Sequence, residues 1–356
     1  MLGYNILMTK PKIIAFCLTR RGCIEYAESM VSLLPDVIVV TSSYSKFKAK
    51  YIHYTIRTYV NSIDFLIRTT GFIFSCYFLL KRLVKENGKS LIFYFPVYHP
   101  WNLIISLYSM VFKIKTVVTV HDYVQHIGEE NIASEWIQRK TIKTSSKTVF
   151  LSQSELNKVN DLNLKLKSIV IPHPILHLFD QVPSRSHQLN PDILFFGRIS
   201  SYKGVDILLN SFDDYKSVIG KLTIAGDIVD QGLRIRHDQN INVINNYIPE
   251  NKVKELLSSH HILILPYVDA SQSGVLTLGI DSCIPMIISD LPGLREQLDD
   301  SCAYWVKPGS SDDITKAIEW YSIKENYENV VQKLFLFRAG QNQEVGKKLL
   351  CVLYKW

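Results

Sequence analysis

Several chemical signatures are missing from this 356-residue sequence. Its six cysteines form no C-x-x-C pair and lie near no histidine at zinc-ligand spacing. We therefore expect buried free thiols in a reducing cytosol, and neither a zinc site nor a disulfide framework. The G-x-x-x-x-G-K-[ST], H-E-x-x-H, G-x-S-x-G and D-x-D motifs are also absent, and the lack of D-x-D argues weakly against a metal-bridged diphosphate.

Long hydrophobic runs are missing too. The amino-terminal stretch lacks the pattern of a signal peptide, and no run reaches the ~18 uninterrupted apolar residues expected of a membrane span. Two shorter runs, Gly71–Leu80 and Leu103–Phe112, end at cations and are predicted to form buried or interfacial helices. We expect a cytoplasmic protein, with peripheral attachment to the inner face of the cell membrane as an open alternative.

Charge is unevenly distributed. Residues 1–180 contain 22 Lys and Arg against 12 Asp and Glu, whereas the remainder contains 18 against 21. A basic first half indicates an anionic partner. No helix-turn-helix or zinc pattern supports nucleic acid, so we expect none. An anionic membrane surface or a pyrophosphate-bearing substrate agrees better with cations interleaved among apolar helices, and a merely solvated basic surface is the alternative.

Short β-branched runs alternate with helical patterns along the whole chain, which is typical of parallel sheets covered by helices. Single cores stop growing at about 250–300 residues, so two domains are expected. A proline-punctuated segment near residue 180 is the best linker. We predict an α/β fold with doubly wound parallel sheets in residues 1–180 and 181–325, followed by a helical region, 326–356, broken near Gly340.

Ligands bind such sheets at the carboxyl ends of their strands. The stretch FFGRISSYKG follows a buried strand and carries Gly197, Arg198 and Lys203 towards the start of a helix. Two cations in this position are suited to binding a diphosphate. Surface charges at an ordinary turn are the alternative interpretation.

A second loop, PYVDASQSGV, follows the apolar strand Ile262–Leu265 and contains Gln272, Ser273, Gly274 and Val275. Its small residues would let backbone N–H groups approach a ligand, and the Gln272 amide can both donate and accept hydrogen bonds. The alternative is an ordinary helix cap by Ser271 or Ser273.

Two turns in the first half are also candidates. The strand in VTVHD delivers His121 to its carboxyl end, where contact with a substrate or handling of a proton is expected. The turn LTRRGCIE has one glycine, Gly22, and so is no dinucleotide fingerprint. Gly22 could still admit a phosphate or a sugar, and a solvated turn is the alternative.

The second half resembles the retaining glycosyltransferases of family 4. The resemblance lies in ILFFGRISSYKGVDILL, KLTIAGD, INVINNYIPENKVKELL, HHILILPYVDASQSGVLTLGIDSCIPMIISDLPGLREQL and VKPGSSDDITKAI. The first half matches more loosely, through VTVHD, the Gly22 turn, VFLSQSE and VIPHP. It implies the GT-B fold, in which two Rossmann-like domains face each other across a cleft. The amino-terminal domain would bind the acceptor, the next would bind the donor, and the terminal helix would cross back.

The resemblance also implies roles for individual residues. Arg198 and Lys203 would hold the donor diphosphate, His121 would contact the transferred sugar, and Tyr247 and Ile248 would line the base pocket. The implied reaction moves a hexose, with retention, from a UDP- or GDP-linked sugar to a glycan or polyprenyl-linked acceptor. It would serve the synthesis of cell-surface polysaccharide or another glycan, without a metal or other cofactor.

One departure from the family concerns charge. Gln272 and Gly279, seven positions apart, stand where the family usually has two glutamates, and SQSGV resembles a variant branch with Gln. Asp269 is the nearest remaining carboxylate in this loop. The missing glutamates favour a second hypothesis, a catalytically silent GT-B-like subunit. A sugar-nucleotide epimerase is a third, although it needs acid and base carboxylates that the sequence does not reveal.

Overall fold

The computed structural model describes residues 12–18, 24–35, 37–48, 54–87, 90–95, 99–124, 131–230, 232, 236 and 238–354. Within these residues the chain forms two parallel sheets, one in each half. Every strand pair in both sheets is parallel, and helices connect most consecutive strands. The predicted α/β class with two doubly wound sheets is therefore confirmed.

The first sheet has seven strands in the order β3-β2-β1-β4-β5-β6-β7. Its interior strand β1 pairs on both sides, so that Ala15 lies opposite Val39 and Phe93. The strands are β1 Lys12–Cys17, β2 Val37–Ser42, β3 Tyr54–Ile56, β4 Ser90–Phe95, β5 Lys115–Val120, β6 Lys147–Phe150 and β7 Ser168–Val170. The helices are α1 Ile24–Ser32, α2 Ser62–Asn87, α3 Trp101–Val111, α4 Ile132–Thr144, α5 Gln153–Asn157 and α6 Leu162–Leu166.

The second sheet has six strands in the order β10-β9-β8-β11-β12-β13. They are β8 Ile193–Phe196, β9 Leu222–Ala225, β10 Ile241–Ile244, β11 Ile262–Leu265, β12 Met286–Ser289 and β13 Tyr304–Val306. The helices are α7 Val205–Asn210, α8 Phe212–Tyr215, α9 Glu250–Ser259, α10 Gly274–Ser282, α11 Pro292–Arg295, α12 Ser311–Ser322 and α13 Lys324–Tyr354. The interior strands β11 and β12 are buried along their whole length, which is why they are nearly continuous apolar runs.

The long helix α13 packs against both sheets. Leu334 lies in the core of the second sheet, whereas Val345, Leu349 and Val352 lie in the core beneath the first. The predicted break near Gly340 is wrong, because α13 is a single helix of 31 residues. A Cβ placed on Gly340 would contact nothing within 4 Å, so no close packing requires glycine there.

Helix α2 differs from what its sequence suggested. Its stretch Ser62–Arg82 has a mean hydropathy of 1.5, is only 17% buried, and by length and composition alone could cross a membrane. The sequence expectation counted uninterrupted apolar residues, and so missed a stretch that contains Arg68, Thr69 and Thr70. The inner side of the same helix is buried at Phe72 and packs in the sheet core.

Candidate active site between the two sheets

The carboxyl edges of the two sheets are in direct contact. His121 and Asp122 follow β5, and Ser271 lies in the loop after β11. The Ser271 hydroxyl donates a hydrogen bond to the Asp122 carboxylate, and its Oγ lies 3.4 Å from the carbonyl oxygen of His121. These contacts place His121 at the floor of the cleft between the domains, where its residue is 9% exposed.

Two other aromatic rings surround His121. The Tyr26 ring, from α1, meets the His121 ring edge to face at a centroid distance of 4.5 Å and the His173 ring at 4.9 Å. Burial lowers the pKa of His173 to about 3. Its Nδ1 lies 2.7 Å from the carbonyl oxygen of Pro174, which can only accept, so Nδ1 carries the proton. Its Nε2 therefore faces the start of α10 as an acceptor, 4.0 Å from where a Cβ on Gly274 would lie.

The loop after β8 places two cations beside this floor. Gly197 has φ +128°, a conformation that favours glycine, and the chain then turns into Arg198. The Arg198 side chain is exposed, and its Nη2 lies 3.5 Å from the hydroxyl of Tyr202. An exposed guanidinium at the carboxyl end of a strand is well suited to an anionic ligand.

Lys203 is held more tightly than Arg198. Its Nζ lies 3.8 Å from the ring centroid of Tyr267 and 5.0 Å from that of Tyr202. The next residue, Gly204, has φ +69°, and a Cβ there would lie 1.9 Å from the carbonyl oxygen of Pro266. The backbone of the β8 loop thus lies directly on the end of β11, and only glycine allows this approach.

The start of α10 provides polar atoms of two kinds. Ser273 caps the helix by accepting from the N–H of Leu276 at 3.2 Å, and its own N–H donates to Gln297 Oε1 at 2.6 Å. This is the capping role that the sequence left open as an alternative, so the polar groups of Ser273 have internal partners. Gln272 differs, because its buried Oε1 accepts no hydrogen bond from the described residues.

Gly279 does not face the cleft. A Cβ on Gly279 would lie 2.4 Å from the sulfur of Met286 and 2.9 Å from Leu263, both in the core of the sheet. A carboxylate at this position would be forced into that core, which corrects the suggestion that residue 279 aligns with a ribose-binding glutamate. The half-buried face of α10 that neighbours Gly197 is formed by Val275 and, one turn later, Leu278.

The two residues implied for a base pocket have different surroundings in the structure. Tyr247 is 56% exposed, and the Lys46 ammonium of the first domain lies 5.2 Å from its ring centroid. Ile248 is 7% exposed and packs in the core of the second domain. Tyr247 can therefore contact a ligand in the cleft, whereas Ile248 supports the loop from below.

Gly22, with the arginines before it, lies outside the described residues. The structure adds site residues that the sequence did not indicate, namely Tyr26, His173, Tyr267 and Gln297. Tyr267 and Gln297 lie in stretches already quoted for the loop and the family resemblance, and His173 stands between two prolines in IPHP, but the sequence pointed to none of these side chains individually. Within the described residues there is no group of three or more His, Cys, Asp or Glu that could hold a metal ion.

Comparison with known proteins gives the fold and part of the family relationship. Residues 190–322 match the family described as glycosyl transferases group 1. No curated protein matches the chain significantly. HepE from Anabaena, solved in complex with UDP and glucose, superposes with a TM-score of 0.72 and 12% identity over 97% of this chain and 100% of that one.

Two further solved structures are similar over nearly their full lengths. A glycosyltransferase from Rickettsia africae has a TM-score of 0.70 and 15% identity, covering 98% of this chain and 100% of its own. The catalytic domain of starch synthase IV from Arabidopsis thaliana, bound to ADP and acarbose, has a TM-score of 0.69 and 10% identity, covering 96% and 99%. The chain therefore has the GT-B fold, and within it residues 190–322 match the glycosyl transferases group 1 family.

Proposed function

We propose that this protein transfers a hexose from a UDP- or GDP-linked donor to a glycan or polyprenyl-linked acceptor, with retention and without a metal. The observation that carries the proposal is the position of Lys203. Its ammonium lies against Tyr267 at the carboxyl ends of β8 and β11, within the domain that matches glycosyl transferases group 1. An anchored cation in the cleft would bind a donor diphosphate and stabilise the charge that develops as the nucleotide leaves.

The other cleft residues have complementary roles in this proposal. Arg198 would share the charge of the diphosphate with Lys203, so that a metal is not needed for this purpose. Gln272 has a buried Oε1 that could accept a hydrogen bond from a sugar hydroxyl. His121 would contact the transferred sugar from the opposite domain, and the acceptor hydroxyl would attack from the face that the nucleotide leaves.

The donor class is supported by the solved neighbours. HepE was crystallised with UDP-glucose, and another neighbour with a TM-score of 0.62 is a lipopolysaccharide outer core galactosyltransferase. From these we propose a role in cell-surface polysaccharide or glycan synthesis. We place the protein in the cytoplasm, at the inner face of the membrane that would supply a lipid-linked acceptor.

A catalytically silent subunit is the second candidate. It is favoured by the absence of a carboxylate at residue 272. A retaining transferase needs its donor held closely enough to stabilise a positively charged sugar. In this protein that task would fall to neutral groups such as Gln272, or to the half-buried Asp269.

The proposed function is tested by nucleotide release from a panel of UDP-, GDP- and ADP-linked sugars. We expect slow hydrolysis of one donor in the absence of an acceptor. Membrane extract should supply an acceptor and make nucleotide release from that donor faster. Lys203→Ala should lower this rate by about 10²–10³-fold, as for other groups that stabilise developing charge. Lys316→Ala is the control, because that side chain is 67% exposed and lies on α12. No release from any donor would favour the silent subunit.

A further inference from the structure

The outer faces of α2 and α3 form one continuous apolar surface. The two helices lie side by side and parallel, since Phe72 stacks on Trp101 at 4.1 Å and Tyr77 lies 5.3 Å from Phe112. Large apolar side chains cover their outer faces, each between 60% and 73% exposed: Ile63, Leu66, Ile67, Phe74, Phe78, Leu107, Met110 and Val111. We call this set the α2–α3 face.

The size of the α2–α3 face is unusual for a surface that only meets water. From Ile63 to Phe78 it runs roughly 22 Å along α2, at a rise of about 1.5 Å per residue. Scattered apolar residues are common on protein surfaces, but a contiguous patch of this kind marks an interaction site.

The charges beside the α2–α3 face are predominantly positive. Both apolar stretches end in cations: Lys81, Arg82 and Lys85 on α2, and Lys113 and Lys115 after α3. The sequence contains no Asp or Glu from Phe65 to Lys85 or from Trp101 to Lys115, and Glu86 follows Lys85 in the last turn of α2. The only acidic residue near the start of α2 is Asp64, whose carboxylate pairs with Arg68 at 2.6 Å among the described residues.

This combination identifies the partner. We propose that the α2–α3 face docks onto the surface of an anionic lipid bilayer, with its aromatic and aliphatic side chains in the interface and its cations at the phosphates. An anionic bilayer binds a protein surface whose apolar side chains enter the lipid and whose flanking lysine and arginine side chains contact the phosphates. A second copy of this chain would instead present the same excess of cations, against which α2 offers only Glu86 and Asp64, and Asp64 already pairs with Arg68.

The docked helix lies in the membrane plane and does not span the bilayer. The opposite side of α2 is in the core of the first domain, with Phe72 3%, Cys76 1% and Leu80 0% exposed. Withdrawing α2 to cross a membrane would empty that core. Peripheral docking leaves the fold intact, because only side chains that are already exposed enter the lipid.

The position of the α2–α3 face also bears on the acceptor, and this step rests on the proposed transferase function. Each helix follows a parallel strand, so the first residues of α2 and α3 lie at the carboxyl edge of the sheet, where His121 also lies. The apolar surface therefore begins at the rim of the cleft. A lipid-carried acceptor would enter the cleft from this side.

The test is flotation of the purified full-length chain with vesicles of phosphatidylcholine, either alone or with about 30% phosphatidylglycerol. We expect flotation only with the anionic vesicles, and release as salt rises from about 50 to about 500 mM. Phe74→Glu with Phe78→Glu should lower the bound fraction at least about tenfold. The variant with Lys81→Glu and Lys85→Glu should lower the bound fraction by about fivefold or more for each cation replaced.

The matched control is Leu189→Glu with Phe335→Glu, two exposed apolar side chains outside the α2–α3 face, and it should float like the unmodified chain. The proposal is overturned if the variant with Phe74→Glu and Phe78→Glu floats as well as the unmodified chain, or if the unmodified chain does not float. It is also overturned if light scattering shows that the unmodified chain is a dimer and that the same variant is a monomer. Donor hydrolysis in solution should be unchanged in that variant, which separates this test from the test of the transferase function.

Discussion

The ammonium group of Lys203 lies 3.8 Å from the centre of the Tyr267 ring, which is fully buried. The ring face attracts the cation and limits the directions in which a long lysine side chain can point. Tyr267 stays protonated, because burial raises its pKa to about 12. Its hydroxyl lies 3.3 Å from Ser273 Oγ, so the same tyrosine links the lysine to the start of α10.

The ring of Tyr267, more than its hydroxyl, should matter for donor turnover. We expect Tyr267→Leu to lower kcat/KM for donor hydrolysis by roughly tenfold, since a cation–ring contact contributes about 0.5–2 kcal/mol. Tyr267→Phe keeps the ring and should lose about threefold or less. Steady-state kinetics on both variants measures this difference, and equal losses in the two would contradict the role assigned to the ring.

Gly204 and Gly309 give a matched pair of substitutions. Both have positive φ, +69° and +82°, but a Cβ would strike Pro266 at residue 204 and meet nothing within 4 Å at residue 309. Gly309→Ala should therefore lower the free energy of unfolding by only about 1–2 kcal/mol, which is the cost of holding alanine in the left-handed conformation. Gly204→Ala should lower it further and also raise KM for the donor, because the Lys203 loop must move. Calorimetric unfolding and donor kinetics of the two variants test the pair, and indistinguishable variants would refute the close approach.

Much of the fold was predictable because buried parallel strands are continuous apolar runs. The short apolar runs Lys12–Cys17, Ile241–Ile244 and Ile262–Leu265 each predict a strand from the sequence, and the structure has strands with these bounds. The strand Tyr54–Ile56 was missed, since three residues at the edge of a sheet leave no period to detect. The sequence pattern predicts one helix over Ser154–Leu162. In the structure α5 ends at Asn157 and a new helix, α6, begins at Leu162, because Asp161 accepts from the N–H groups of Asn163 and Leu164.

The candidate site was less predictable than the fold. Loops that follow buried strands are visible in the sequence, and so Lys203 and His121 could be chosen. Which way a side chain points from a loop depends on contacts between distant segments. Tyr26 reaches His121 from α1, and Gly279 turns towards Met286, and neither contact has a sequence signal.

His173 should make stability depend on pH. In the fold its pKa is lowered from 6.5 to about 3, so the unfolded chain binds the proton more readily. Its contribution is fully present above about pH 6.5 and is lost as the pH falls towards 3, by about 1.4 kcal/mol per pH unit. His173→Gln removes the group and should flatten this part of the profile.

The measurement for His173 is urea unfolding of both chains between about pH 7.5 and about pH 4.5. The difference between the unmodified chain and His173→Gln isolates this histidine from the carboxylates that titrate in both. The assigned neutral state is wrong if the two profiles run parallel across that interval.

Asp281 joins three segments of the chain. Its Oδ2 accepts from the N–H groups of Leu178 and Phe179 at 2.6 and 2.8 Å, and its Oδ1 from Arg338 Nε on α13 at 3.0 Å. Burial alone would raise the pKa of Asp281, but the hydrogen bonds from His177 and the backbone and the charge of Arg338 hold it below its ordinary value. The carboxylate thus fastens the linker and the helix that spans both domains to α10.

Asp281→Asn should lower the free energy of unfolding by about 3 kcal/mol near neutral pH, since it leaves Arg338 without its counter-charge in a largely buried place. The depressed pKa sets the sign of the pH dependence. The difference in free energy of unfolding between the unmodified chain and Asp281→Asn should be largest above about pH 5. It should shrink as the pH falls through the folded-state pKa of Asp281. Asp213→Asn is the control, because that carboxylate pairs with Arg236 at the surface and its loss should change the calorimetric unfolding temperature little. If both variants unfold at the temperature of the unmodified chain, Asp281 does not hold α13 to the linker.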